Sequence, residues 1–330
     1  MIDPIELSQC RWDRRHGSAT CYDCGSMDAV QISNVTKTFG AVTAVDDLAL
    51  AVPEGSVYGF IGPNGSGKTT TMRMIASIFY PDRGDVRVFG KQMLGARSEL
   101  IGYLPEERGL YRKMAVQPLL EFYGELRSGR KVTAEVESWL KRLDLAKWAS
   151  QKVQALSKGM SQKVQFIAAV VPAPKLLILD EPFSGLDPVS ADALQSAILD
   201  LRRGGVTVIL STHDMHVAEN MCDYICMIFR GKKVLDGTLA SIQDRYGNDT
   251  IRVAADGGLR FLDGLPDVER IRDLGQVQEL RMARGCDPQQ VLHALIARTR
   301  VSSFSIMKPS LHDIFVRIAG PEAGEEEQVA

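Results

Sequence analysis

Residues 28–35 alternate apolar and polar side chains, the period of a strand with one buried face. A second such run, residues 46–52, ends at Pro53-Glu54-Gly55, a turn signal. Residues 56–61 are apolar enough for a strand buried on both faces, and a helical stretch, 71–79, follows a glycine-rich link. From 95 to 171 Leu, Glu, Lys and Arg recur at helical spacing, as in 118–127 and 132–143, which predicts a helical insertion. Strand patterning returns at 176–179 and 206–210, separated by helical 190–202, which predicts parallel βαβ units and a core split around the insertion.

Beyond residue 241 the pieces shorten: strand-like 250–254, 268–273, 277–282 and 302–307, with helical 288–298 and 310–318. They predict a small α+β unit over 241–320. Residues 27–240 are read as the main domain, 1–26 as a poorly ordered leader, and 321–330, acidic and nearly without apolar side chains, as a disordered tail.

Composition narrows the class. At 45% hydrophobic and 24% charged, with 39 basic against 41 acidic side chains, the chain is ordinary globular material. That excludes collagen, wholesale disorder and an all-over nucleic-acid-binding surface, so no nucleic-acid partner is expected. The longest apolar stretch, 166–174, contains two prolines and is too short to span a bilayer, and the first twenty residues lack the apolar centre of a secretory signal. A cytosolic setting with reduced thiols is expected. Cys21 and Cys24 have the C-x2-C spacing of a zinc clasp, which Cys10 and His16 could complete. The alternatives are a plain leader or an upstream start preceding Met27.

Two segments carry chemistry. Gly62-Pro63-Asn64-Gly65-Ser66-Gly67-Lys68-Thr69 matches G-x-x-x-x-G-K-[ST] and continues into Thr70. Its glycines let backbone N–H groups close around phosphates, Lys68 supplies charge to the β and γ phosphates, Thr69 offers its hydroxyl to Mg2+, and the following helix turns its positive end to the anion. In the second, four aliphatics at 176–179 run into Asp180 and Glu181, with Pro182 stopping the strand. Asp180 suits a metal ligand and Glu181 a general base that polarises the attacking water.

Between these segments, Leu156-Ser157-Lys158-Gly159-Met160-Ser161-Gln162-Lys163 resembles the LSGGQ signature of ATP-binding-cassette transporters, with Ser157 lying 89 residues after Lys68 and 23 before Asp180. The resemblance implies an α/β fold: a P-loop NTPase ABC cassette with a mixed sheet, a helical subdomain and a small C-terminal α+β domain. It further implies that Ser157 and Gly159 face the γ phosphate held by a second copy of the chain. Ser184-Gly185-Leu186-Asp187 is similar to the loop that communicates across that dimer, His213 to the switch that orients water, and Phe39 to the aromatic that stacks on adenine. ATP and Mg2+ are the implied cofactors, and a separate integral membrane permease is the implied partner, which places the chain on the inner face of the membrane.

Three positions depart from the family pattern. Glu106 stands where a glutamine is usual, Lys158 replaces a glycine and Met160 a glutamine. With Gly102-Tyr103-Leu104-Pro105 before them, these features resemble the ABC-2-type exporters that include the sodium-extrusion ATPases, and Arg108, Leu110 and Tyr111 are expected to dock the permease. The rival reading is a soluble ATPase of the same superfamily. Against it stand the lack of an extended heptad run and the presence of only one glycine loop and one signature.

Overall fold

The computed structural model describes residues 28–92, 99–107, 109–246, 250–255, 264–265, 267–283 and 285–320. The expected zinc clasp, leader, acidic tail and Arg108 lie outside these. The first half runs β1 (Asp28–Phe39), β2 (Val42–Pro53), β3 (Val57–Ile61), α1 (Lys68–Ile75), β4 (Arg83–Val88), β5 (Lys91–Gln92), β6 (Ile101–Leu104), α2 (Val116–Ser128), α3 (Thr133–Arg142) and α4 (Lys158–Val170). Then come β7 (Leu176–Asp180), α5 (Pro188–Arg203), β8 (Thr207–Thr212), α6 (Met215–Met221), β9 (Tyr224–Phe229), β10 (Lys232–Gly237) and α7 (Leu239–Tyr246). The last part holds β11 (Thr250–Ala255), β12 (Val268–Asp273), β13 (Gln278–Met282), α8 (Pro288–Ile296), β14 (Val301–Met307) and α9 (Leu311–Ala319).

The described strands form three sheets. An antiparallel one, ordered β2-β1-β4-β5, packs across α1 from a six-stranded sheet ordered β10-β9-β3-β8-β7-β6. The latter is parallel except for β10. Its central strands are buried on both faces, and the period of two divides their side chains. Leu177, Leu179, Val208 and Leu210 face the helices α2 to α5, whereas Ile178 and Ile209 face α1 and the antiparallel sheet. Each such fully buried aliphatic contributes about 1.5–3 kcal/mol of transfer free energy, which fixes the carboxyl ends of these strands in place.

The stretch expected to be helical from 95 to 171 holds a core strand: residues 101–104 form β6, paired in parallel with β7. Four residues are too few to display a period. Gly102 also lets α4 approach, because a Cβ there would lie 2.4 Å from the Ala169 carbonyl. The helix expected at 71–79 begins at Lys68 and ends at Ile75, since Ser77 turns into the left-handed region at φ 56.

The C-terminal segment divides between two cores. In the antiparallel sheet β12-β13-β11-β14, Ile251, Val253 and Leu280 pack on Val291 and Leu295 of α8. Helix α9 instead sets Leu311, Ile314 and Phe315 against Ile61, Met215, Ile225 and Met227. A capping box of Ser310 and Asp313 starts α9, and its Leu311 N–H donates to Glu219 Oε1 of α6 at 2.6 Å. Among the described residues no helix is long and apolar enough to cross a membrane.

Candidate nucleotide site

Strand β3 ends at Ile61 and the chain must reverse into α1 within six residues, which it does on glycines. Gly62 sits at φ 144 and Gly67 at φ 109, and a Cβ on either would lie 2.1 Å from the Ile228 carbonyl or 2.4 Å from that of Ala44. The Gly231 N–H donates to the Ser66 carbonyl at 2.9 Å, pinning the loop to the β9–β10 turn. Lys68, the first residue of α1, is buried, and its Nζ donates to the carbonyls of Gly62 at 2.7 Å and Pro63 at 2.9 Å. Burial lowers its pKa, against the pull of the Glu181, Asp180 and Glu106 carboxylates.

The parallel register of β7 and β8 brings the carboxylates to this loop. Asp180 is fully buried and its Oδ1 accepts from Ser211 Oγ at 2.5 Å and from Thr69 Oγ1 at 3.2 Å. Its Oδ2 is buried without a hydrogen-bond donor among the described residues. An oxygen left bare beside a threonine hydroxyl is a fit for a hard divalent cation, which takes oxygen ligands. Glu181 leaves the strand at φ 48, held by a hydrogen bond from its N–H to Ser211 Oγ at 3.0 Å. Its carboxylate Oε1 lies 3.0 Å from His213 Nδ1, and burial raises its pKa while the His213 contact pulls the other way.

A cavity of about 320 Å3 is lined by Ala44, the residues from Asn64 to Thr70, Glu106 and Glu181. The structure thus gathers the glycine loop with Glu106 and Glu181 around one space, and His213 stands behind Glu181. The remaining expected residues are elsewhere. Phe39 ends β1, half exposed, with its ring 5.5 Å from that of Phe79 and outside the lining. Ser157 caps α4, its Oγ accepting from the Met160 N–H at 3.2 Å. Gly159 meets Leu186, the Lys158 stem lies over Gly185, and Asp187 caps α5 by accepting from the Ser190 N–H. That cap holds the exposed Asp187 carboxyl below the usual range. None of Ser157, Gly159 and Asp187 lines the cavity around Lys68.

Two contributors have roles that the sequence does not assign, although Ser211 belongs with Thr212 and His213 to the stretch that resembles the switch. Ser211 anchors both Asp180 and the Glu181 backbone, and Ala44 supplies a wall. Nothing in the local pattern of either points to such a role, because each reaches the site from a strand remote in sequence. The alternation that makes Ser211 the residue opposite Asp180 exists only once β7 and β8 are paired.

Comparison with known proteins agrees with this geometry. Residues 45–184 match the family described as ABC transporter, and residues 237–319 match the ATP-binding protein DrrA1-3-like C-terminal domain. The ABC transporter ATP-binding protein YhaQ of Bacillus subtilis (strain 168) is 39% identical, over 88% of this chain and 98% of its own length. The Nod factor export ATP-binding protein I of Rhizobium sp. (strain N33) is 32% identical, over 89% of this chain and 98% of its own. A solved structure described as the ATP binding subunit of an ABC transporter superposes with a TM-score of 0.63 at 28% identity, covering 66% of this chain and 93% of that one. The chain belongs to the ATP-binding proteins of ABC transporters, the cassettes that bind and hydrolyse ATP to drive transport.

Proposed function

We propose that this chain powers export through a separate integral membrane permease, hydrolysing ATP between two copies of itself. The observation that carries the reading is the joint lining of one cavity by Lys68 and Glu181, which sets a cation for the phosphates opposite a carboxylate for water. Lys68 and the N–H groups of residues 64–69 bind the phosphates, and the start of α1 adds its dipole. Thr69 Oγ1 and Asp180 hold Mg2+, which when bound neutralises charge that develops on the phosphates. Glu181, buried and hydrogen-bonded to His213, takes a proton from the attacking water as its oxygen adds to the γ phosphorus, and ADP leaves with the electrons of the broken bond. His213 orients the Glu181 carboxylate. Phe39, outside the cavity lining in this structure, takes the adenine on its exposed face.

Ser157 and Gly159 complete the γ-phosphate contacts from a second copy. This reading is supported by their place outside the lining of their own cavity and by the exposed start of α4, where Ser157 caps the helix. Asp187 joins the two copies as the cap of α5 at the same edge. Glu106 puts a second carboxylate at the cavity wall, so the metal-free site repels phosphate more than a glutamine would.

The permease docks beside Leu110 and Tyr111, at a cleft of about 170 Å3 that Leu110 lines with Tyr103 and Gln165. Gln165 of α4 donates to the Glu107 carbonyl at 3.2 Å, so a push on that cleft reaches both the Glu106 loop and the signature helix. Export as the direction is supported by the similarity to the Nod factor export protein and by the DrrA-like C-terminal match. The chain then sits in the cytoplasm, peripheral to the inner face of the membrane.

Light scattering on two variants tests the sandwich. ATP should dimerise Glu181→Gln, which traps the closed state, and should leave Glu181→Gln/Ser157→Arg monomeric while each monomer still binds ATP. Equal dimerisation of the two would remove Ser157 from the interface. Copurification with an integral membrane protein tests the permease, and recovery wholly in the soluble fraction without one would favour the soluble alternative.

A further inference from the structure

A second cleft, of about 490 Å3, opens between the C-terminal sheet and α9. Its size is that of a small-molecule site. It is lined by Arg270 and Arg272 of β12, Arg281 of β13 and Arg317 of α9, with Glu279 and Asp313 as its only carboxylates among the described residues. The register explains the convergence. Ile271 and Leu280 are partners across the strands and face the α8 core, so their neighbours Arg270, Arg272 and Arg281 turn to the opposite face, towards α9.

Arg270 lies directly across from Arg281 in the ladder. Like charges so placed repel and destabilise a sheet. The nearby carboxylates relieve this only in part, as ion pairs without hydrogen bonds. Glu269 stands 3.6 Å from Arg281 Nε and Asp313 3.7 Å from Arg272, both beyond hydrogen-bond reach. Asp313 is already engaged by Ser310 at 2.5 Å, and Glu279 is approached by Arg252 at 3.9 Å. Arg281 Nε is buried with no hydrogen-bond partner among the described residues. A buried guanidinium N–H without an acceptor costs free energy until an acceptor arrives. Both walls are fixed beforehand, the sheet by α8 and α9 by its packing on the cassette.

We propose that this cleft is a binding site for a phosphate-bearing anion. Guanidinium groups present paired N–H donors that match phosphate oxygens, and several converging on one space select a multiply charged anion over a single carboxylate. The anion accepts from the guanidinium groups that line the cleft and sits between Arg270 and Arg281, so it offsets the positive charge that the carboxylates leave over. Free phosphate compounds and anionic lipid headgroups share this chemistry.

The test uses the full chain saturated with Mg2+ and a non-hydrolysable ATP analogue, so that the glycine loop is filled. Inorganic phosphate is titrated calorimetrically in one arm, and cosedimentation with phosphatidylglycerol or phosphatidylcholine vesicles is measured in the other. Wild type should bind one equivalent of phosphate, or sediment with phosphatidylglycerol and not phosphatidylcholine. A phosphate response marks a free ligand, and a vesicle response alone marks a headgroup. Arg270→Gln/Arg281→Gln should lose at least tenfold in the responding arm and keep its nucleotide affinity, and Arg272→Gln should lose in the same arm. Without anion the double variant should melt at or above wild type, because the repelling pair is gone. Absence of binding in both arms, binding undiminished in the variants, or a lower melting temperature of the double variant in anion-free buffer would overturn the proposal.

Discussion

Lys68 and Arg281 are both cations set into clefts, and the protein treats them differently. Lys68 donates to two carbonyls of its own loop and lies among the carboxylates Asp180, Glu181 and Glu106. Arg281 has a buried Nε with no hydrogen-bond acceptor among the described residues, faces Arg270 across the ladder and has a carboxylate, that of Glu269, at 3.6 Å. The first site is complete for its cation, and among the described residues the buried atoms it leaves unpaired are Asp180 Oδ2, where the missing charge is positive, and the neutral hydroxyl of Ser66. The second is short of negative charge. Leftover polar atoms of opposite sign thus point to what each cleft takes, because burying a charged group without a partner costs free energy that a matching ligand atom offsets.

The largest test of this contrast is Lys68→Ala. Charge-assisted hydrogen bonds contribute about 1.5–3 kcal/mol each, so losing those to two phosphates should weaken Mg-ATP binding on the order of a hundredfold or more. Calorimetry reads this directly, and affinity within threefold of wild type would detach Lys68 from the phosphates. The arginine cleft should be indifferent to the change.

The pH profile of turnover comes next. Burial raises the pKa of Glu181, so its base form is lost as pH falls through a value above that of an exposed glutamate. The acid limb of kcat should therefore lie above the ordinary carboxylate range and drop about tenfold per pH unit below it. A limb at or below the ordinary range would mean that another group titrates. For stability the sign is reversed: a raised carboxylate pKa makes charged Glu181 a destabilising group above its unfolded pKa, so neutral Glu181→Gln should melt at or above wild type.

The cradle can be divided by two glycines. Gly67→Ala places a Cβ 2.4 Å from the Ala44 carbonyl at φ 109, whereas Gly65→Ala enters open space at φ 76. Backbone strain of about 1–3 kcal/mol applies to both, but only the first adds a collision with main chain. Gly67→Ala should lose clearly more in melting temperature and nucleotide affinity than Gly65→Ala, and equal losses would mean that strain alone acts. The smallest effect is at the other cleft. Ser310→Ala removes the cap of α9 and should cost about 1 kcal/mol in denaturant unfolding, with nucleotide affinity unchanged.

The same contrast explains what the sequence could display. The glycine loop is nearly contiguous and its geometry is local, so residues 62–70 announce it, as four aliphatics before Asp180 and Glu181 announce a buried strand end. The cap at Ser157 is likewise local, and its Oγ accepts from the Met160 N–H. Ser211 became visible as the anchor of Asp180 only through the pairing of β7 with β8. Strand β6 was hidden by its four-residue length within a helical neighbourhood. Phe39 lies at a hairpin tip against Phe79, outside the cavity, which the match of an aromatic to a motif position could not foretell. The arginine cleft was hidden most deeply. The strand-like run 268–273 shows no cleft in its sequence, and only the antiparallel ladder and the return of α9 turn the face carrying Arg270 and Arg272 into a wall.

The central claim, that Lys68, Asp180 and Glu181 form one ATP-hydrolysing centre with Glu181 as its base, is tested most directly by steady-state turnover of Glu181→Gln beside its ATP affinity. The arrangement predicts affinity equal to wild type and kcat lower by about 10²–10⁴-fold, the usual contribution of a positioned general base. Undiminished kcat in a variant that binds ATP normally would contradict it.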